Sequence, residues 1–160
     1  MTNTATLLHY NFTFKIENTG KSTLEDAEAL IIDISKIEGN SKEEKKNPDE
    51  FNLTWKGHGG TTIPKIFLNT YKFFNFGDIL KPNPQQSEGS FVSYRPPSSI
   101  KFKFIDEKIN LESNCEYKIK IRFSANNIKP QIKIYKLDIK NEWADDVNNI
   151  KKMLLIEEED

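Results

Sequence analysis

Along this chain, β-branched and aromatic residues alternate with polar ones at a period of two, the pattern a half-buried antiparallel strand requires. Tyr10, Phe12, Phe14 and Ile16 alternate with Asn11, Thr13 and Lys15. Ile100, Phe102 and Phe104 alternate with Lys101 and Lys103, and Tyr117, Ile119, Ile121 and Phe123 with Lys118, Lys120 and Arg122. Ile132 and Ile134 give way to Tyr135, Leu137 and Ile139, a one-residue change of phase that predicts a bulge inside that strand. Shorter candidate strands are Phe51 to Trp55, Ile66 to Phe76 and Phe91 to Tyr94.

The segment from Ser22 to Lys36 can be read two ways. Ser22 and Glu25 form a capping box, and Leu24, Ala27, Ile31 and Ile34 fall near one helical face. Ala27-Ala29-Ile31 and Leu30-Ile32-Ile34 also alternate, and their β-branched content favours a strand. Asn18-Thr19-Gly20-Lys21 before it is a turn, because glycine reaches positive φ without steric cost. Residues 38–50 and 81–97 read as long surface loops, the second carrying four prolines. Trp143, Val147, Ile150 and Leu154 recur at helical spacing, so 143–154 is expected to be helical, with Glu157 to Asp160 a solvated acidic tail.

Many short strands with few helices between them predict one all-β domain over residues 1–160. Its expected form is an antiparallel immunoglobulin-like β-sandwich of seven to eight strands with a short C-terminal helix. Length and composition agree, with 160 residues of which 36% are apolar. Charge adds a partner argument. Twenty-three Lys and Arg balance 24 Asp and Glu, and only Arg95 and Arg122 are arginine. Near-neutrality removes the electrostatic attraction that dominates nucleic-acid affinity, and scarce arginine removes the usual bidentate reader of guanine and phosphate. The abundance of Lys, Ile and Asn reads as the mark of an AT-rich coding genome. No apolar run approaches the ~20 residues of a spanning helix. Met1 to Leu8 has neither the positive nor the apolar region of a secretory signal, so no such signal is expected there.

The stretch Phe12 to Ile34, FTFKIENTGKSTLEDAEALIIDI, resembles the opening hairpin of prokaryotic immunoglobulin-like adhesion and scaffold domains of the CARDB type. Leu53-Thr54-Trp55 and the block Glu116 to Ile121 leading to Ala125-Asn126-Asn127 are similar to later strands of such domains. The likeness covers about half the chain, and the two long loops and C-terminal segment exceed a minimal domain of about 100 residues. It implies a non-enzymatic extracytoplasmic interaction module, with a cytoplasmic site still open. Fold analogy does not by itself assign function.

Candidate chemistry is sparse. Trp55 to Thr62 carries His58 among Gly57, Gly59 and Gly60 and resembles the oxyanion-hole loop of some esterases. The Gly-x-Ser-x-Gly elbow that such enzymes need is missing, since Ser90 after Gly89 is followed by Phe91-Val92. His9, His58 and Cys115 are too widely spaced for a zinc site, and neither a calcium loop nor a nucleotide-binding loop occurs, so no metal or cofactor is expected. Cys115 alone cannot close an internal disulfide and reads as a core-facing or idle thiol. Tyr71, Phe73, Phe74 and Phe76 crowd one segment, and Phe91, Tyr94 and Arg95 another. Exposed rings there could anchor a protein or stack on a sugar, although the gap between two sheets needs large residues too. The expected function is therefore a non-enzymatic binding or assembly module, with the soluble domain of a larger or membrane-anchored protein as one form it could take. His58, Tyr71, Phe74, Tyr94 and Arg95 are its candidate binding residues, and protein partners or self-association the expected contacts. The alternatives are a carbohydrate-binding module using exposed aromatics and a small hydrolase using the His58 glycine loop.

Overall fold

The computed structural model describes residues 9–38, 42–45, 50–57, 59–82, 99–104 and 109–159. Eleven strands and one 3-10 helix run through these residues. In chain order they are β1 (His9–Glu17), β2 (Leu24–Glu38), β3 (Lys42–Lys45), β4 (Phe51–Asn52), β5 (Ile63–Ile66), β6 (Tyr71–Leu80), β7 (Lys101–Phe104), β8 (Asn110–Glu112), β9 (Cys115–Ala125) and β10 (Ile128–Ile139), then the 3-10 helix (Val147–Lys152) and β11 (Leu154–Glu159). They form two antiparallel sheets, one ordered β1-β6-β7-β8 and one ordered β11-β10-β9-β2-β3, with β4 and β5 also on β2. The molecule is an all-β sandwich.

The two sheets enclose a core that the alternation anticipates. Phe74, Phe76, Phe102 and Phe104 come from the first sheet, and Ile31, Ile34, Tyr117, Ile119, Ile121, Leu137 and Ile139 from the second, all essentially inaccessible to solvent. The phenylalanines stack in tilted and edge-on pairs, Phe76 lying 4.9 Å from Phe102 and 5.4 Å from Phe104 between ring centroids. Such geometry directs a positive ring edge onto a negative face. Gly77 makes room for it, because a Cβ there would lie 2.3 Å from Cζ of Phe102 and 2.7 Å from the carbonyl oxygen of Lys103. The step in register between β1 and β6 also falls here, between Phe12 and Thr13.

The segment after the first turn is a strand, as its β-branched content favoured, and its helix-like spacing has a backbone cause. Asp26 sits at φ 51°, between Leu24 and Ala27, which both pack against the core. A second irregularity between Ile31 and Asp33 then moves the buried phase from Ile31 to Ile34. Several other expectations are corrected. The irregularity expected within β10 falls earlier than the change of phase, between Ile128 and Gln131; from Gln131 to Ile139 the strand runs in unbroken register with β9. Ile132 and Ile134 simply point outward, in the phase opposite Tyr135, Leu137 and Ile139.

The first two strands form no hairpin: β1 pairs with β6, and β2 with β9, so Asn18 to Thr23 joins the two sheets. The expected strand Phe51 to Trp55 changes sheet midway. Leu53 N–H donates to Ala29 O in the second sheet, while Thr54 O accepts from Asn75 N–H in the first. Ile66 to Phe76 is two strands with a turn at 67–70. The helical segment shrinks to Val147–Lys152, capped by the Asp146 carboxylate on Asn148 N–H, with Val147 exposed. The acidic tail is no tail, because Glu157 to Glu159 belong to β11 and pair with β10.

Candidate functional site

Turns from both sheets converge at one end of the sandwich, hereafter the loop pole. Asn18 holds them together. Its side-chain amide donates to Ser22 O (2.8 Å) and Ile66 O (2.9 Å), and its Oδ1 accepts from Gly20 N–H (3.1 Å). The Asn18 backbone bonds Thr70 O and Asn69 N–H. A 2% exposed amide with these partners locks the β1–β2 connection to the β5–β6 turn, satisfying polar groups that burial would otherwise penalise. The β9–β10 turn joins through Asn127, whose amide reaches Thr23 O (2.7 Å), and Asn126, whose N–H reaches Glu25 O (2.8 Å).

Beside this anchor, the sheets part in a cleft of about 430 Å³ between the end of β1 and the β9–β10 hairpin. Phe14, Ile16, Leu24, Phe123, Ile128 and Tyr135 line it. The floor is aromatic, with Phe14 4.9 Å from Tyr135 and 6.3 Å, edge-on, from Phe123. Lys133 stands at the rim. It shares the inward phase of β10 with Tyr135, but lies where Nζ meets Glu158 Oε1 at 2.6 Å. Burial, and then the Glu158 carboxylate, push the Tyr135 phenol above its ordinary pKa. The cleft therefore presents an apolar, uncharged floor beside a compensated ion pair.

Apolar groups also stand out around the pole. Phe67 and Leu68 at the β5–β6 turn and Ile128 on the β9–β10 hairpin are exposed. Of the residues anticipated as binding groups, Tyr71 is half-exposed on the outer face of the first sheet, with Lys15 Nζ 4.5 Å from its ring centre and Phe73 edge-on at 5.4 Å. One ring face already carries an ammonium, and the two rings meet at 73°, so they offer no flat platform. Phe74 is a core residue, 1% exposed, because it lies on the inward phase of β6. Trp55 forms an isolated bridge to Phe74. His58, Tyr94 and Arg95 lie outside the described residues. Gly57 and Gly59 adopt positive φ of 88° and 69°, with open space around both. Arg122 occupies the outer row of the second sheet, in register with Leu30 and Ile132.

The cleft could not have been read from the sequence. Phe14, Ile16, Phe123 and Tyr135 carry the same alternation as fully buried strand residues. In the fold these four line an opening instead. Among the described residues no cluster of His, Cys, Asp and Glu is arranged to hold a metal ion, and no helix is long and apolar enough to cross a membrane. Comparison with known proteins returns no match: no family model, no curated protein and no solved structure is similar to this chain.

Proposed function

We propose that this protein is a non-enzymatic binding or assembly module that engages a protein partner at the loop pole. One observation carries the reading: the 430 Å³ cleft, whose lining joins Phe14, Ile16, Phe123 and Tyr135 to Lys15, Glu17 and Lys133, opens at the exposed Ile128, on the same pole as the exposed Phe67 and Leu68. Contiguous exposed apolar surface around a concave site is where interfaces form, because desolvating it is favourable and aromatic side chains lose little rotamer entropy on contact. An immunoglobulin-like arrangement of the CARDB type remains part of this proposal. Tyr117 supports it: near the start of β9, its hydroxyl accepts from Glu112 N–H at 2.9 Å, five residues upstream, in the manner of a tyrosine corner. The carbohydrate reading draws less support, since Tyr71 and Phe73 are not coplanar, and the hydrolase reading rests on His58 alone.

A photo-crosslinking side chain at Ile128, with a control at Val147 at the opposite end, tests the proposal in the source cells. Discrete protein adducts from position 128 and none from 147 are expected, with loss of the adduct when Phe67 and Leu68 become serine. Equal labelling at both ends, or no adduct at 128, refutes it.

A further inference from the structure

The outer face of the larger sheet carries a patch that the core does not use. On three neighbouring strands, β2, β9 and β10, Leu30, Arg122 and Ile132 stand in one row, and Asp33, Lys120 and Ile134 in the next. Ile132 is 58% exposed and Leu30 and Ile134 are half-buried, so aliphatic side chains meet water on both sides of Arg122. An open depression of about 540 Å³ continues the patch along Ile132 and Ile134. Further along the same face the sheet turns charged, with Lys136 on Glu116 at 3.4 Å and Lys118 on Glu159 at 3.7 Å.

Arg122 sits in this patch as an unmet charge. Its guanidinium forms no ion pair among the described residues, whereas Lys118, Lys133, Lys136 and Lys140 are each held by a carboxylate. The two carboxylates of β2 that flank Leu30 have hydrogen bonds of their own: Glu28 accepts from Thr62 Oγ1 at 2.8 Å, and Asp33 from Ser35 Oγ at 3.1 Å. Asp33 stands in register with Lys120, which leaves the uncompensated charge at Arg122.

We infer that this patch is a second protein interface, separate from the loop pole, which receives an amphipathic helix of a partner with one carboxylate in the middle of its aliphatic face. Width selects the helix. β2 and β10 are two strand spacings apart, about 10 Å, and a helix with its side chains is about 10–12 Å across. One helix laid along β9 therefore reaches Leu30 on one side and Ile132 and Ile134 on the other, in the ordinary packing of helix on sheet. A lone strand would need an edge, and this is a face. Charge selects the residue at the centre. A Glu or Asp opposite Arg122 takes a bidentate, charge-assisted bond between aliphatic groups that exclude water, while a lysine there meets like charge. A second copy using the same patch is disfavoured on the same ground, since a two-fold axis through it sets Arg122 against Arg122.

The test uses the full chain and a synthetic helical peptide of about 18 residues, five turns, with leucine along one face, one glutamate at the centre of that face and glutamine elsewhere. Amide chemical shifts of the protein are followed as the peptide is added. Expected is saturable binding with shifts confined to the middle of β2, β9 and β10, weakened about tenfold or more by Arg122→Gln and equally by glutamine at the peptide's centre. The two losses should not add, and Arg122→Glu should prefer a peptide with lysine at that position. Ile132→Ser should weaken binding too, and all three variants should keep the parent's unfolding midpoint within a few degrees. No binding up to about 1 mM peptide, binding indifferent to the central charge, shifts at the cleft instead of the sheet face, or a concentration-dependent dimer broken by Ile132→Ser would each overturn the inference. A protein adduct at Ile128 with none of these shifts would leave the loop-pole reading standing and remove only this one, and these shifts without that adduct would do the reverse.

Discussion

Asn18→Ala tests whether the loop pole is held by one buried amide. The substitution removes bonds of 2.8, 2.9 and 3.1 Å from a residue 2% exposed. At about 1 kcal/mol net for each bond, and about 1 kcal/mol more for the Ile66 carbonyl left buried without a donor, the expected loss is about 4 kcal/mol. For a chain of this length, that corresponds to a fall in Tm of roughly 8–16 °C. Urea unfolding should show a lower midpoint with unchanged slope, since the surface exposed on unfolding stays the same. Asn18→Asp sharpens the test. It keeps the acceptor for Gly20 but turns a carboxylate oxygen towards two carbonyl oxygens, so at neutral pH it should be at least as damaging as alanine. Burial and those carbonyls raise the folded-state pKa of the new carboxyl, so its destabilisation should ease on acidification towards its unfolded value of about 3.9. A loss below about 1 kcal/mol for Asn18→Ala, or an Asp variant as stable as the parent at pH 7, would refute the assignment.

Gly77→Ala should cost about 3 kcal/mol, at the upper end for overpacking, because one obstacle is the Lys103 backbone carbonyl at 2.7 Å. Adding Phe102→Leu should recover only part of this in chemical unfolding, and full recovery would show that the ring alone matters. Stability should also fall at alkaline pH. Burial raises the Tyr10, Tyr117 and Tyr135 phenols above 10, with nearby carboxylates adding for Tyr10 and Tyr135. A group whose folded pKa is raised contributes stability below its unfolded pKa and loses it as pH rises through the folded value, so urea midpoints should decline above about pH 10. Tyr10→Phe removes the hydroxyl bonded to Ala144 O, and should lower stability at pH 7 by about 1 kcal/mol while flattening the alkaline decline. Midpoints that stay level from pH 9 to 11.5 would contradict this.

Legibility differed from strand to strand for physical reasons. Where both faces of a strand keep their environments along its length, as in β9 and β7, period-two alternation named the inward residues correctly. In β2 the left-handed Asp26 and the irregularity near Ile32 shift the buried phase twice, so a strand imitates helical spacing. In β10 a half-exposed apolar pair, Ile132 and Ile134, imitates a bulge. β11 was hidden because an edge strand ending in three glutamates satisfies its backbone through β10 alone and needs little apolar surface.

The sequence by itself determined a two-layer all-β domain with an aromatic and aliphatic core, because alternation is a local consequence of strand geometry and burial on one face. It also marked Asn18 as a turn residue, since that conformational preference belongs to the individual residue. Only the tertiary structure decided which strands pair, that β1 and β2 part into different sheets, and that Asn18 ties the β1–β2 connection to the β5–β6 turn. It alone placed Phe14, Phe123 and Tyr135 at an open cleft instead of a closed core. Those properties depend on contacts between residues far apart in the chain, such as Phe14 with Phe123 and Tyr135, which no local pattern records.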